Sequence, residues 1–176
     1  MVVVFLILVV SVQGIFSSPR RAEAAQVGPA GQVTLNPGGG VLANGSDGVR
    51  FTINSLGASG NPNYAYAGAD AVVHRNTYQY CCGAGAPMLN VGGTHFGQAG
   101  PASSGSSAWN SIEVLSTSGA TSEGTRTSNV GNSAAVLRYT AITGGRTYTI
   151  TRSVSYIFPN DYVTDSYSFA IPDGNT

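Results

Sequence analysis

The feature that most constrains the fold is a strict alternation of apolar and polar residues near the end of the sequence. Along residues 147–157, one face holds Tyr148, Ile150, Arg152, Val154 and Tyr156, while positions 147 to 155 of the other face are all Thr or Ser. Period-two alternation is typical of an antiparallel strand with one buried face. Beyond Pro159-Asn160, residues 162–171 alternate in the same way, so the two runs predict a β-hairpin.

Glycine and proline punctuate the rest of the chain, which has 24 Gly and 8 Pro among 176 residues. Outside an apolar N-terminal run, no window keeps the spacing of an amphipathic helix. Turn signals such as Asn36-Pro37 and Gly144-Gly145 separate further short runs. Additional strands are predicted at 32–35, 49–54, 64–67, 71–80, 88–91, 109–115 and 134–142. About nine short strands predict an all-β protein, an antiparallel β-sandwich or part of a larger supersandwich.

Charge is scarce in this chain and excludes two classes of protein. Charged residues make up 9% of the sequence, eight Arg balance eight acidic residues, and Lys is absent. A protein that binds nucleic acid through a basic patch needs an excess of cations, which this chain lacks. A hydrophobic content of 42% likewise excludes a charge-rich disordered chain.

The N-terminus carries the pattern of an export signal. Residues 2–10 are continuously apolar but too few to span a bilayer, and Ala22-Glu23-Ala24 provides small residues for cleavage. We therefore expect a signal peptide over 1–24, a single β-sandwich domain over 25–176, and a secreted or cell-surface location. No basic residue precedes the apolar run, so we expect that the true start lies upstream or that Met1 is a misassigned initiator. A buried N-terminal strand or an uncleaved anchor is the alternative to a cleaved signal.

At the other end, Pro172-Asp173-Gly174-Asn175 forms a turn signal that no strand follows. Turns connect elements, and the preceding hairpin has no further strand to complete its sheet. We interpret the sequence as a partial chain, truncated at the C-terminus. A short natural protein with a frayed end is the alternative.

Two resemblances follow from these features. The export signal, the Arg-only basicity and strands such as TYTITRSVSYIFPNDYVTDSYSFAIP resemble those of secreted or cell-wall proteins of high-GC actinobacteria, mycobacteria included. The Thr-rich strand, Pro turn and aromatic-alternating strand within 134–172 also resemble galactose-mutarotase-like supersandwich domains. That second resemblance implies a carbohydrate-related role. The acidic and His motifs of those enzymes match no positions here, so no catalytic residue is carried over.

Cys81 and Cys82 are adjacent and precede a Gly-rich segment. Thiols of exported proteins are usually oxidised, so we expect a disulfide. A bond between neighbours closes a strained ring, which makes it reducible or marks a rigid ligand platform. Bridges to another chain or to a missing segment are the alternatives, as are two unoxidised buried thiols.

Aromatic residues provide the candidate ligand-binding positions. Tyr64 and Tyr66 share one predicted strand face, as do Tyr78 and Tyr80, and flat aromatic faces can stack on sugar rings. Cross-strand packing is the alternative for these tyrosines. Trp109 and Glu113 lie four apart, on one face of a predicted strand, and form a second candidate sugar-binding pair. Because Ile112 and Val114 make the other face more apolar, the pair could equally be a solvent-side contact.

Catalytic and metal chemistry find little support. His74 and His95 are the only histidines, and no G-x-S-x-G nucleophile motif occurs. Two adjacent Cys lack the spacing of a metal site, and no cofactor motif is present. Glycoside hydrolysis needs two facing carboxylates, and the sequence nominates no such pair.

Two charged residues interrupt the apolar faces of the final hairpin. Arg152 lies between Ile150 and Val154, and Asp165 lies between Val163 and Tyr167. An unpaired buried charge would cost several kcal/mol, about 3–5 when a buried pair is broken, so we predict that they form a salt bridge. A turn axis at 158–159 places them opposite each other, and an axis one residue later makes them diagonal neighbours. Exposure of both at a sheet margin, or a ligand-binding role for Arg152, is the alternative.

These observations predict a non-enzymatic envelope or extracellular β-sandwich module, structural or adhesive, whose partner is another envelope protein or a glycan. A glycan-binding or glycan-processing supersandwich is the second hypothesis.

Overall fold

The computed structural model describes residues 32–54, 73–75, 77–78, 87–97, 107–123 and 128–172. The described residues form β-strands and no helix, which confirms the predicted all-β class. Among them, no helix is long and apolar enough to cross a lipid bilayer. The strands in chain order are β1 Val33–Leu35, β2 Phe51–Ile53, β3 Val73–His74, β4 Thr77–Tyr78, β5 Leu89–Val91, β6 Thr94–Gly97, β7 Ser107–Ala108, β8 Ser111–Gly119, β9 Thr121–Glu123, β10 Ser133–Thr143, β11 Arg146–Tyr156 and β12 Thr164–Ala170.

Two antiparallel sheets share one hydrophobic core, which gives the fold its sandwich character. The larger sheet has the strand order β12-β11-β10-β8, and the smaller has the order β2-β1-β9. Buried side chains from both sheets belong to a single cluster. The smaller sheet contributes Val33, Leu35, Phe51 and Ile53, and the larger contributes Ala135, Leu137, Tyr139, Ala141, Tyr148, Ile150, Val154 and Tyr156.

The long hairpin of β10 and β11 is the backbone of the larger sheet. Its strands pair over eleven residues each, from Ser133↔Tyr156 to Thr143↔Arg146. Their connection is Gly144-Gly145, and both glycines have positive φ, as a tight two-residue hairpin turn requires. The alternating residues of β11 are buried and exposed in turn, as the sequence pattern predicts.

In the smaller sheet, β1 and β2 are buried on both faces. In β1 and β2 every residue is buried, including the Thr residues that the alternation places away from the core. Thr34 and Thr52 lie opposite each other, and their hydroxyls form a hydrogen bond of 3.0 Å. Because each hydroxyl has a hydrogen-bond partner, two polar side chains are buried here at little cost.

Several predicted strand boundaries are wrong. The strand expected over 71–80 is interrupted in the described part, where β3 and β4 form a short antiparallel hairpin turned at Arg75, which has a φ of 52°. The strand expected over 109–115 begins only at Ser111. Three short strands were not predicted, β6, β7 and β9, because they lack the apolar alternation on which the prediction relies. β6 pairs antiparallel with β5 and parallel with β7.

Candidate functional site

The pairing of β11 with β12, at one edge of the larger sheet, brings together the charged and aromatic residues of the final hairpin. β11 and β12 pair in a register that sets Ile150 opposite Phe169, Arg152 opposite Tyr167, and Val154 opposite Asp165. Side chains of paired residues lie on the same face of an antiparallel sheet. Phe169, Tyr167 and Asp165 therefore extend the core face of β11 outwards along β12.

Arg152 and Asp165 form the predicted salt bridge. The Arg152 Nη2–Asp165 Oδ2 distance is 2.6 Å, and Nε lies 3.1 and 3.2 Å from the two carboxylate oxygens. The register makes the two residues diagonal neighbours, which is the second of the two predicted arrangements. The Arg152 side chain is only 1% exposed, whereas that of Asp165 is 28% exposed. The ion pair thus joins a buried cation to a carboxylate that water can reach.

Aromatic rings enclose the guanidinium group. The Cζ atom of Arg152 lies 5.8 Å from the ring centroid of Phe51 and 5.6 Å from that of Tyr167. The Tyr167 hydroxyl donates a hydrogen bond of 3.0 Å to Asp165 Oδ2, and Tyr139 also bonds to Arg152. Cation–π contacts and a charge-assisted hydrogen bond both stabilise a cation in this setting. The positive charge of Arg152 and the negative charge of Asp165 therefore compensate each other within the protein.

The protonation equilibria follow from this environment. Burial opposes the charge of Arg152, but hydrogen bonds to Asp165 and Tyr139 and their electrostatic attraction raise its pKa above the ordinary value. Burial raises the pKa of Tyr167 to about 12, with the Asp165 charge acting in the same direction and Arg152 opposing it. Burial also raises the pKa of Tyr139. All three groups keep their neutral-pH protonation state, so none is poised for proton transfer near pH 7.

Beyond this cluster the face of β12 is uncovered. Tyr167 is 41% exposed, Phe169 62% and Ile171 63%, although their neighbours on β11 are buried. We call these three residues the β12 patch. β12 is also the outermost strand of its sheet among the described residues. Contiguous exposed apolar side chains on an edge strand are unusual in a soluble protein and typically mark an interaction surface.

A second polar cluster has a structural role. Asn36 is fully buried; its side chain donates hydrogen bonds to the carbonyls of Asp47 and Val49 and accepts one from the Gly131 amide. Asp47 Oδ2 accepts from the backbone amides of residues 41 and 42. These contacts hold the loop between β1 and β2. Among the described residues, no group of three His, Cys, Asp or Glu side chains could hold a metal ion.

Trp109 and Glu113 do not share a strand face in the structure, so the arrangement predicted for this pair is wrong. Trp109 is 8% exposed and packs in the core against Phe96 and Tyr139, with ring centroids 6.2 and 5.5 Å apart. Glu113 instead forms an ion pair with Arg138, its partner in the adjacent strand. The physical reason is that Trp109 precedes β8, so the alternation of that strand does not extend back to it.

The other predicted positions are placed only in part. Tyr64, Tyr66, Tyr80, Cys81 and Cys82 lie outside the described residues, and Tyr78 belongs to β4. The predicted disulfide and the tyrosine faces therefore remain predictions. His74 Nε2 lies 3.2 Å from Asp161 Oδ1, in the loop before β12, and His95 is an exposed residue of β6.

The alternation over residues 162–171 predicts that Tyr167, Phe169 and Ile171 share one strand face and that this face belongs to the core. Their alternation identifies the face, and only the strand order shows that it lies at the edge of the sheet.

In comparisons with known proteins, no family model, no curated protein and no solved structure matches the chain.

Proposed function

We propose that this protein is an exported, non-enzymatic β-sandwich module of the cell envelope or extracellular space, with a structural or adhesive role. The observation that carries the proposal is the β12 patch on the outer strand of the larger sheet. An unpaired edge offers backbone N–H and C=O groups to another polypeptide, and adjacent apolar side chains add affinity. We infer that the module binds an envelope protein through this edge.

The charged groups support a binding role over catalysis. Arg152 pairs with Asp165, and Arg138 pairs with Glu113. Catalytic acids and bases usually stand in a cleft with pKa values moved towards neutrality. The resolved pKa shifts of Tyr139, Tyr156 and Tyr167 move these groups away from neutrality instead.

Export is the part of the proposal that depends on residues 1–24. The apolar run at 2–10 and the Ala22-Glu23-Ala24 pattern support cleavage near Ala25. Chain recovered from the envelope and medium of an actinobacterial host is expected to begin near Ala25 by N-terminal sequencing. Recovery of intact Met1 in the membrane fraction would contradict cleavage.

Binding through β12 is tested by the distribution of an epitope-tagged chain between envelope and medium. The variant Tyr167→Ser/Phe169→Ser removes the two aromatic rings of the β12 patch. Ile142→Ser is the matched control, because Ile142 is 52% exposed on β10 and lies outside the patch. We expect wild-type and Ile142→Ser chains in the envelope fraction and the double variant in the medium. Equal distribution of all three would overturn the proposed binding role.

Glycan binding is the second candidate, and one contact favours it. Tyr167 is partly exposed and hydrogen-bonds to Asp165, so an aromatic ring and a carboxylate acceptor adjoin at the surface. Sugars are recognised by stacking on such rings and by hydrogen bonds to such carboxylates. Calorimetric titration with a panel of cell-wall oligosaccharides tests this candidate. Binding that Tyr167→Ala abolishes and Ile142→Ala preserves would favour it over protein binding.

A further inference from the structure

We propose that β12 pairs antiparallel with β12 of a second copy of this chain, so that two sandwiches share one continuous sheet. The inference rests on the proposed function, since it names the partner of the edge described there. Three properties of β12 lead to a second copy: its edge chemistry, its self-complementary pattern and the size of its exposed apolar area.

The edge chemistry lacks the usual barriers to strand pairing. Natural edge strands are protected by Lys, Pro, bulges or an inward-pointing charge. Residues 164–170 contain neither Lys nor Pro, and the pairing of β12 with β11 runs without a register shift. Asp165 is the only charged residue of the strand, and Arg152 and Tyr167 already bind its carboxylate. A charge that is already paired does little to repel a second strand.

The pattern of β12 is complementary to itself. Around a two-fold axis at Ser168, Tyr167 of each copy lies opposite Phe169 of the other, which gives two cross-strand aromatic pairs. Aromatic pairs are among the most favourable cross-strand contacts in antiparallel sheets. The opposite face of the strand carries small side chains, Thr164, Ser166, Ser168 and Ala170, which do not obstruct the approach. The formal net charge is zero for the full sequence, and −1 without residues 1–24 because 6 Arg and 7 acidic residues remain, so two copies repel each other little at long range.

The exposed area fits a strand from a second copy that binds weakly. With 41, 62 and 63% of their surfaces exposed, Tyr167, Phe169 and Ile171 present roughly 300 Å² of apolar surface per copy. A standard interface buries about 800 Å² per partner, so this patch is too small for a permanent dimer. It is also only one strand wide, which matches another edge strand better than a broad globular surface. We therefore expect a reversible dimer with a Kd of roughly 1 µM to 1 mM.

Sedimentation equilibrium of the purified chain from about 1 µM to 1 mM tests the inference. We expect the mean mass to rise towards that of a dimer across this range. Phe169→Lys places a charge on the pairing face and should weaken association by at least about tenfold. Ile142→Lys adds the same charge at a comparably exposed position of β10 and should leave association unchanged. Phe169→Ser provides a milder variant if the charge disturbs folding, which circular dichroism will show.

The outcomes separate this inference from the proposed function. A chain that stays monomeric up to 1 mM, or whose association both Lys variants weaken equally, overturns self-pairing. If that monomer is still retained in the envelope through the β12 patch, the proposed function stands with a different polypeptide on the edge. A β12-dependent dimer that never associates with the envelope supports the inference and overturns the proposed function.

Discussion

At the scale of single residues, Arg152 shows how a buried charge is tolerated in a chain with so few charges. The guanidinium is 1% exposed, and Asp165, Tyr139 and two aromatic rings surround it. The side chain of its partner Asp165 is 28% exposed, so water can solvate the carboxylate. The buried guanidinium therefore depends on the salt bridge more than the carboxylate does. Removing the carboxylate leaves an unpaired buried cation, whereas removing the cation leaves a carboxylate that water can solvate.

This asymmetry gives the first prediction. Asp165→Leu is expected to lower the free energy of unfolding by about 3–5 kcal/mol, because it leaves the buried guanidinium without a carboxylate partner. Arg152→Met should cost less, about 1–2 kcal/mol, since the apolar side chain fills much of the space and Asp165 remains hydrated. The double variant should resemble Arg152→Met. Urea denaturation of all four chains measures the coupling, and additive effects would show that the pair contributes no interaction energy.

Tyr167 gives the second prediction, on pH dependence. The pKa of a tyrosine in an unfolded chain is 10.0, and that of Tyr167 in the folded chain is about 12. The unfolded chain therefore loses this proton first, so the stabilisation is complete below about pH 10 and decreases as the pH rises to 12. Tyr139 and Tyr156 act in the same direction.

Thermal melting between pH 8 and pH 12 measures this effect. The melting temperature of the wild-type chain should fall above pH 10, and Tyr167→Phe should reduce that fall without removing it. Tyr162→Phe is the control, because that residue is 64% exposed. Identical pH profiles for Tyr167→Phe and the wild type would contradict the raised pKa of Tyr167 in the folded chain.

At the scale of elements, Tyr156 connects the end of β11 to the loop that precedes β2. Its hydroxyl accepts a hydrogen bond of 3.1 Å from the Val49 amide and donates one of 3.1 Å to the Asn160 carbonyl. Gly48 lies against this hydroxyl with a φ of +68°, and an added Cβ atom would overlap the hydroxyl. The loop thus depends on one tyrosine and on one glycine that leaves room for it.

The third prediction compares two glycines. Gly48→Ala should lower the free energy of unfolding by about 3 kcal/mol or more, because it combines backbone strain with the loss of the Tyr156 hydrogen bonds. Gly144→Ala has a similar φ of +57° but no atom within 4 Å of the added Cβ, so strain alone should cost about 1–2 kcal/mol. Chemical denaturation of both variants tests the difference. Equal losses would mean that the contact with Tyr156 contributes nothing.

How far the sequence predicts these elements depends on their pattern. β10, β11 and β12 were predicted because their alternation extends over seven or more residues. β6, β7 and β9 were missed because they are short and also lack an alternation of apolar and polar residues. Trp109 was misplaced because the phase of an alternation cannot be extended beyond the end of its strand. The Arg152–Asp165 contact was predictable because two charges on facing apolar strands have few other ways to be stabilised.

The exposure of the β12 patch was not predictable, since the alternation of β12 resembles that of a core strand. Sequence patterns identify which residues share a face, but the position of a strand within its sheet depends on the topology.

At the scale of the whole molecule, the position of β12 at the edge of its sheet gives the sandwich two unequal ends. β1 and β2 are buried on both faces, whereas every residue of β12 is exposed. Among the described residues, β12 pairs with β11 on one side only, and we propose that another polypeptide pairs with its other side.

The most direct test of this central claim is amide hydrogen exchange along residues 164–170. In dilute solution, the outward-facing amides of β12 should exchange rapidly, while those of β10 remain protected on both sides by β11 and β8. With the binding partner present, either concentrated chain or an envelope fraction, we expect the β12 amides to be protected at least about tenfold and β10 to be unchanged. β12 amides that are equally protected in dilute chain, or unprotected under every condition, would contradict the account.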